Sequence, residues 1–465
     1  MFLSIRPRTL LNVWRVLQII SFAMINDRVS IPYMDEKFHA PQAAAYCRGQ
    51  FLPYDPKLTT PPGLYLISYA LSKIGVPCTL SYLRGLNLFI GIILLPNLCG
   101  KLYDSLHAAA IPLEVEWSQC LSAMPILSFF SLLYYTDLAS TYAVLLVYYL
   151  TLTKRRYSAA LVAFASLWFR QTNLVWVVAF VAQDLFVTLQ DSSSFIWRDR
   201  LTGEAACSDI VTLLSRCGIA VMKEHMVVLR VLAPFVPIAL SSVAFLLHNG
   251  SIVLGMSISW SGSEAYLTLG DKSMHKAGIY PIQLCYMSIF TVSISGLFVA
   301  GQFHAGQLQR IRRHPKMLLS LLLFSCAVAV QKSIQHPFLL ADNRHFPFYL
   351  NKRIIQKLPN TLLGLFFFVA SSCFYIGMLD TSSFTTLVFL AASALTLCPT
   401  SLLEFRYYIV PFMLWRLHFG HKILCQRFLL LETVSWIILN LGCVYIFLYH
   451  GFYWQDSMEI QRFMW

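Results

Sequence analysis

The chain has 465 residues, 57% of them hydrophobic and only 12% charged, and its mean hydropathy is +0.62. Soluble domains carry about 25% charged residues, so the composition excludes a soluble enzyme and points to an all-α polytopic membrane protein. A formal net charge of +13 would suggest nucleic acid in a soluble domain, but here the bases gather in short loops as the positive-inside rule requires, and no nucleic-acid partner is expected.

At about 20 apolar residues per crossing, the sequence predicts spans near 9–27, 82–103, 117–134, 137–153, 157–171, 173–189, 229–248, 280–300, 317–334, 358–378, 381–399, 407–420 and 428–449. The count is twelve or thirteen, and the runs at 157–171 and 407–420 are short. The first run lacks a small-residue cleavage site, so it reads as an uncleaved span. With the N-terminus cytosolic, Arg6/Arg8, Lys154-Arg155-Arg156, Arg310/Arg312/Arg313/Lys316 and Arg416/Lys422 all fall on the cytosolic side. The loops 28–81, 249–279, 335–357 and 400–406 and the C-terminal tail then share the opposite face. Within 28–81, Pro61-Pro62 precedes an apolar stretch, Gly63 to Ile74, too short to cross, which predicts a helix lying on the membrane surface. The cytosolic stretch 190–227 is polar and carries no motif. Twelve cysteines at irregular spacings, mostly in apolar runs, read as small buried hydrophobes, with neither a disulfide framework nor a zinc site expected.

Three polar constellations lie on the predicted face shared with 28–81. Asp35-Glu36 follows the first span, and charge so close to hydrocarbon is costly unless it faces water or substrate. On a helix, neighbours diverge by about 100°, so one carboxylate would face a site while the other orients a helix or ligand. The alternative is that both favour the positive end of a short helix beginning near Glu36. In His336–Tyr349, Arg344 and His345 suit a phosphate, whereas an internal Asp342–Arg344 ion pair is the plain structural reading. Glu404 and Arg406, two apart in an aromatic setting, either serve the site or simply pair. No P-loop, GxSxG, HExxH or GxGxxG occurs, which sets aside nucleotide hydrolysis, zinc proteolysis and Rossmann redox chemistry.

Further motifs join these in order: Tyr33-Met34-Asp35-Glu36 with Phe38-His39 and Pro41-Gln42, Tyr46-Cys47, Asp55-Pro56 with Thr59-Thr60, and Pro62-Gly63-Leu64-Tyr65. Then come Leu133–Asp137, Phe169–Asn173, Asp342-Asn343-Arg344-His345, Leu403–Tyr407 and Gln461–Trp465. Together they resemble the family of dolichyl-phosphate-glucose-dependent α-1,2-glucosyltransferases that add the last glucose to the lipid-linked N-glycan precursor. The likeness runs nearly end to end.

The resemblance implies one membrane domain over 1–465, a GT-C glycosyltransferase-like helical bundle with a long first lumenal loop, in the endoplasmic reticulum membrane with its active site lumenal. It implies dolichyl phosphate glucose as donor and a dolichyl-diphosphate-linked oligosaccharide as acceptor, both held in the lipid bilayer by their tails. A β-linked donor and an α-linked product mean inversion, which needs one carboxylate base. Asp35 is that base, with Glu36 in reserve. Arg344, His345 and Arg406 would bind the donor phosphate, and His39, Gln42, Asp55, Asp342, Asn343 and Glu404 would line the substrate site. No metal or cofactor is expected. A mannose donor and a non-enzymatic transporter or channel-associated protein are the competing readings, although no repeated halves with matching Gly/Pro breaks are seen.

One departure from the family pattern is the segment 256–270, between Gly255 and Asp271. Gly255-Met256-Ser257 can be encoded by a string holding a GTATGT splice donor, and Leu267-Thr268 by a branch-point-like CTAAC, so the segment reads as a retained intron. A genuine loop insertion is the alternative. The only N-x-S/T sequon, Asn249-Gly250-Ser251, abuts a span and is expected to be unmodified.

Overall fold

The computed structural model describes residues 5–52, 54–55, 57–107, 110–192, 210–249, 278–302, 315–378, 382–419, 426–455 and 458–465. The suspected intron 256–270 and two of the three sequon residues lie outside them. Among the described residues the chain is helical almost throughout, with one small antiparallel ladder, Phe452–Tyr453 against Ile460–Gln461. Ile210–Lys223, inside the stretch read as a polar loop, is helical too.

Among the described residues, six helices are long and apolar enough to cross a bilayer: Pro7–Arg28, Leu80–Leu106, Asn173–Ser192, His225–His248, Pro315–Ser333 and Gln426–Tyr449. Thr136–Leu152, Arg156–Leu167, Ile282–Ile294, Asn360–Ile376 and Phe384–Leu397 are apolar but only 10–17 residues long. At 1.5 Å per residue these fall short of a core about 30 Å thick. Among the described residues, six of the twelve or thirteen expected spans are thus full-length helices, and shorter apolar helices stand at five others. One cause is visible at Leu167, where the helix stops and the chain turns so that Arg170 meets Asp137.

The predicted span 117–134 is not a single helix. It breaks into Pro112–Gln119, a 3₁₀ turn at Cys120–Ala123 and Pro125–Phe130, because Pro125 has no N–H to continue a ladder. This segment runs back along Leu80–Leu106: Gly100 faces Gln119, and a Cβ on Gly91 would come within 2.7 Å of the Ser131 Cβ. Buried unwound backbone needs replacement partners. The Asn87 amide donates to the Leu133 and Tyr135 carbonyls at 2.7 and 2.8 Å, and the Asn440 amide to the Ala123 carbonyl at 2.9 Å.

The helix predicted after Pro61-Pro62 is Gly63–Lys73. It starts where the Gly63 N–H donates to the Trp168 carbonyl at 2.7 Å, an approach that leaves no room for a Cβ. Glu36–Cys47 is the other helix of this loop. The cysteine expectation is corrected here: Cys47 and Cys78 form a disulfide, 31 residues apart, tying the end of Glu36–Cys47 to the start of Leu80–Leu106. Irregular spacing concealed it, since a bridge needs only Cα atoms within reach, here 6.5 Å.

Of the loops assigned to one face, 249–279 lies almost wholly outside the described residues, and 28–81, 335–357, 400–406 and the C-terminal tail meet. Asp35 contacts Arg406, Tyr33 contacts Arg462, and Arg344 contacts Gln461.

Candidate active site

The two adjacent carboxylates part company at once. Met34 takes the left-handed conformation, φ 53°, uncommon for a residue with a Cβ, and the Glu36–Cys47 helix begins just beyond it. Glu36 is completely buried. Its oxygens accept from Arg84 Nε and Nη2 at 2.8 and 2.6 Å and from the Tyr134 and Tyr33 backbone N–H groups at 2.7 and 3.1 Å. Those four donors occupy the sites a carboxylate offers. Arg84, also fully buried, donates from Nη1 to the Val29 carbonyl at 2.8 Å.

Asp35 remains open, its side chain 38% exposed. Its Oδ2 accepts from Arg406 Nη1 at 3.0 Å, and its backbone N–H donates to the Tyr135 hydroxyl at 3.2 Å. Burial would push its carboxyl up, but Arg406, His39 and His345 outweigh that and hold it below the usual carboxylate range.

Arg406 is the hub of a charged cluster. Its Nε donates to Glu404 Oε1 at 3.1 Å, and its Nη1 lies 3.7 Å from Asp137 Oδ2. Asp137 Oδ1 in turn accepts from Arg170 Nη2 at 2.7 Å. The carboxylates of Asp35, Asp137 and Glu404 thus face the guanidiniums of Arg406 and Arg170. The Arg406 guanidinium also lies over the Phe130 and Tyr135 rings, 5.3 and 5.4 Å from their centroids, which favours a weakly hydrated cation. The sequence reading of Arg406 as a phosphate ligand meets a residue already engaged with carboxylates.

His39 is buried on the same helix, its Nδ1 2.5 Å from the Tyr65 hydroxyl. Burial lowers its pKa despite the nearby Asp35 and Asp137. Gln42 and Asp55 brace the loop: Gln42 Oε1 accepts from the Asp55 N–H at 3.0 Å, and Asp55 Oδ1 from the Lys57 N–H at 2.9 Å.

Asp342 and Arg344 form the internal ion pair, with Arg344 Nε and Nη2 donating to the two carboxylate oxygens at 2.8 and 2.7 Å. The loop is nevertheless packed: Arg344 stacks on Trp454, 4.5 Å from the ring centroid, and the Trp454 indole donates to Asn343 Oδ1 at 2.8 Å. Burial favours neutral Asp342, but the bonds from Arg344 and the His345 charge hold its carboxyl low. Arg344 uses one N–H on each of its three nitrogens, which leaves two of its five N–H groups free for a ligand. Among the described residues no three His, Cys, Asp or Glu side chains converge as a metal site would require.

Asp137 and Arg170 stand within the sequence motifs without an assigned role, and neither Arg84 nor the tail's contacts with the site are among the residues expected there. Arg84 gave a usable signal, an arginine inside an apolar span, where a buried partner is the rule.

A family-level match to the DIE2/ALG10 family covers residues 29–417. The chain is 32% identical over 454 residues to the Drosophila melanogaster protein named Dol-P-Glc:Glc(2)Man(9)GlcNAc(2)-PP-Dol alpha-1,2-glucosyltransferase, covering 93% of each chain. Human and Arabidopsis thaliana proteins of the same name are 29% and 30% identical, covering 96% and 95% of this chain and 95% and 96% of their own. No solved structure matches. The chain belongs to the DIE2/ALG10 family.

Proposed function

We propose that this protein transfers glucose from dolichyl phosphate glucose to a dolichyl-diphosphate-linked oligosaccharide that already carries two glucoses, forming the terminal α-1,2 linkage. Relatives with that activity in their name match nearly the whole chain. The observation that carries the reading at the site is Asp35: an ionised, half-open carboxylate beside the Asp342–His345 loop.

In this mechanism Asp35 takes the proton of the acceptor hydroxyl as its oxygen attacks the anomeric carbon. The bond from that carbon to the phosphate oxygen breaks, and dolichyl phosphate leaves with the electron pair. The free N–H groups of Arg344, with His345, meet the leaving phosphate. Arg406 instead fixes Asp35 and keeps it ionised, and Glu36 is withdrawn into the fold. The loop 28–81 is then the catalytic loop and 335–357 the donor loop. The Cys47–Cys78 disulfide favours placing this face in the lumen, since disulfides persist in oxidising compartments.

The test is transfer by the purified protein, offered glucosyl or mannosyl dolichyl phosphate with the diglucosylated acceptor. We expect an α-linked glucose product and no mannose transfer, and product from the mannosyl donor alone would refute the assignment. Arg344→Lys keeps the charge but loses the fork, so the donor KM should rise about 10-fold while the acceptor KM holds. An unchanged donor KM would return the 335–357 loop to a purely structural role. A single phosphate leaves and basic side chains meet it, so activity should survive EDTA. Loss on chelation with recovery on adding Mn²⁺ or Mg²⁺ would make Asp35 and Asp342 candidate metal ligands instead.

A further inference from the structure

The segment Gln461–Trp465 lies across the two loops that carry the proposed chemistry. On one side, the Tyr33 hydroxyl donates to the Arg462 carbonyl at 2.9 Å and accepts from the Arg462 N–H at 2.6 Å. Tyr33 is two residues from Asp35. On the other side, the Met464 N–H donates to the Arg344 carbonyl and the Phe346 N–H to the Met464 carbonyl, both at 3.0 Å, so the segment pairs with the donor loop as a short parallel bridge at His345.

Two side chains of the donor loop are aimed by this segment. Arg344 Nη1 donates to Gln461 Oε1 at 2.9 Å. Gln461 is 98% buried, and its amide orientation is fixed because Nε2 donates to the Glu459 carbonyl at 2.9 Å. His345 Nδ1 lies 2.6 Å from the Trp465 carbonyl oxygen. A main-chain oxygen only accepts, so the proton sits on Nδ1, while Nε2 lies 3.8 Å from Asp342 Oδ2.

We propose that Gln461–Trp465 is a positioning segment of the active site, with Gln461 aiming the Arg344 guanidinium at the donor phosphate and Tyr33 setting the spacing between the donor loop and Asp35. This rests on the functional reading above. None of these residues need touch substrate. Their action passes through Arg344 and Asp35.

The experiment measures initial rates of the full-length protein in detergent, varying dolichyl phosphate glucose at saturating acceptor and then the reverse. Gln461→Leu keeps the bulk and removes the acceptor, and the donor KM should rise about 10-fold, as for a lost hydrogen bond to a charged group, with the acceptor KM within about twofold. Tyr33→Phe, which deletes one hydroxyl and is the milder change, should raise the donor KM in the same selective way. A segment that only stabilises the fold would lower the active fraction and leave both KM values unchanged in both variants, and that result overturns the proposal. An equal rise in both KM values overturns it as well. A wild-type protein that does not use the glucosyl donor would instead strike the functional reading, so the two failures are distinguishable.

Discussion

Asp35→Asn should lower turnover by on the order of 10²–10⁴-fold while leaving the protein folded. The amide oxygen can still accept from Arg406, so the cluster keeps its shape and loses only the base. Near-normal turnover by the purified variant, corrected for folded fraction, would remove Asp35 from the mechanism. The pH dependence carries a second test. Burial raises the Asp35 pKa, but Arg406 and the neighbouring histidines bring it below the usual range, so activity should persist through mild acid and fall only as pH drops through that lowered value. Arg406→Met removes the largest of the opposing influences, and its acid limb should move to higher pH. Folding is linked the same way: a depressed carboxyl pKa adds stability above the unfolded value, lost as pH falls through the folded one.

Arg84→Met should be the most damaging change to stability, about 3–5 kcal/mol, because it leaves the Glu36 carboxylate buried and uncompensated. The readout is thermal unfolding in detergent. Glu36→Gln combined with Arg84→Met should recover most of the loss, since a neutral pair no longer strands a charge. An unchanged midpoint for Arg84→Met alone would show that water or another cation reaches Glu36. The contrast with Asp35→Asn separates two neighbours in sequence: one change should silence an intact protein, the other should unfold it.

Much of the fold was legible because hydrophobic runs and basic loops are local signals. The pattern located the helices and grouped Asp35, Asp342 and Glu404 on one face, where the structure brings Asp35 and Glu404 to Arg406. What composition could not register was interruption. Residues 117–134 are as apolar as a span, but Pro125 and the carbonyls taken up by Asn87 and Asn440 make them a broken buried segment. Pairings across long separations were equally hidden. Nothing near Glu36 announces Arg84, 48 residues on, and nothing in the spacing of Cys47 and Cys78 announces a bridge. Asp137 and Arg170 were visible as charges beside apolar runs, yet only packing shows that each answers the other and that Asp137 also backs Arg406.

The bond between Tyr33 and Arg462 joins residues 429 apart. At about 5–20 residues per second, roughly 20–90 s of synthesis separates the two partners, so the newborn loop 28–81 waits without its bond to the tail. The disulfide closes over only 31 residues, within the first few seconds of that interval on the same scale. An oxidised Cys47–Cys78 bridge can therefore hold the young loop in shape until the tail arrives.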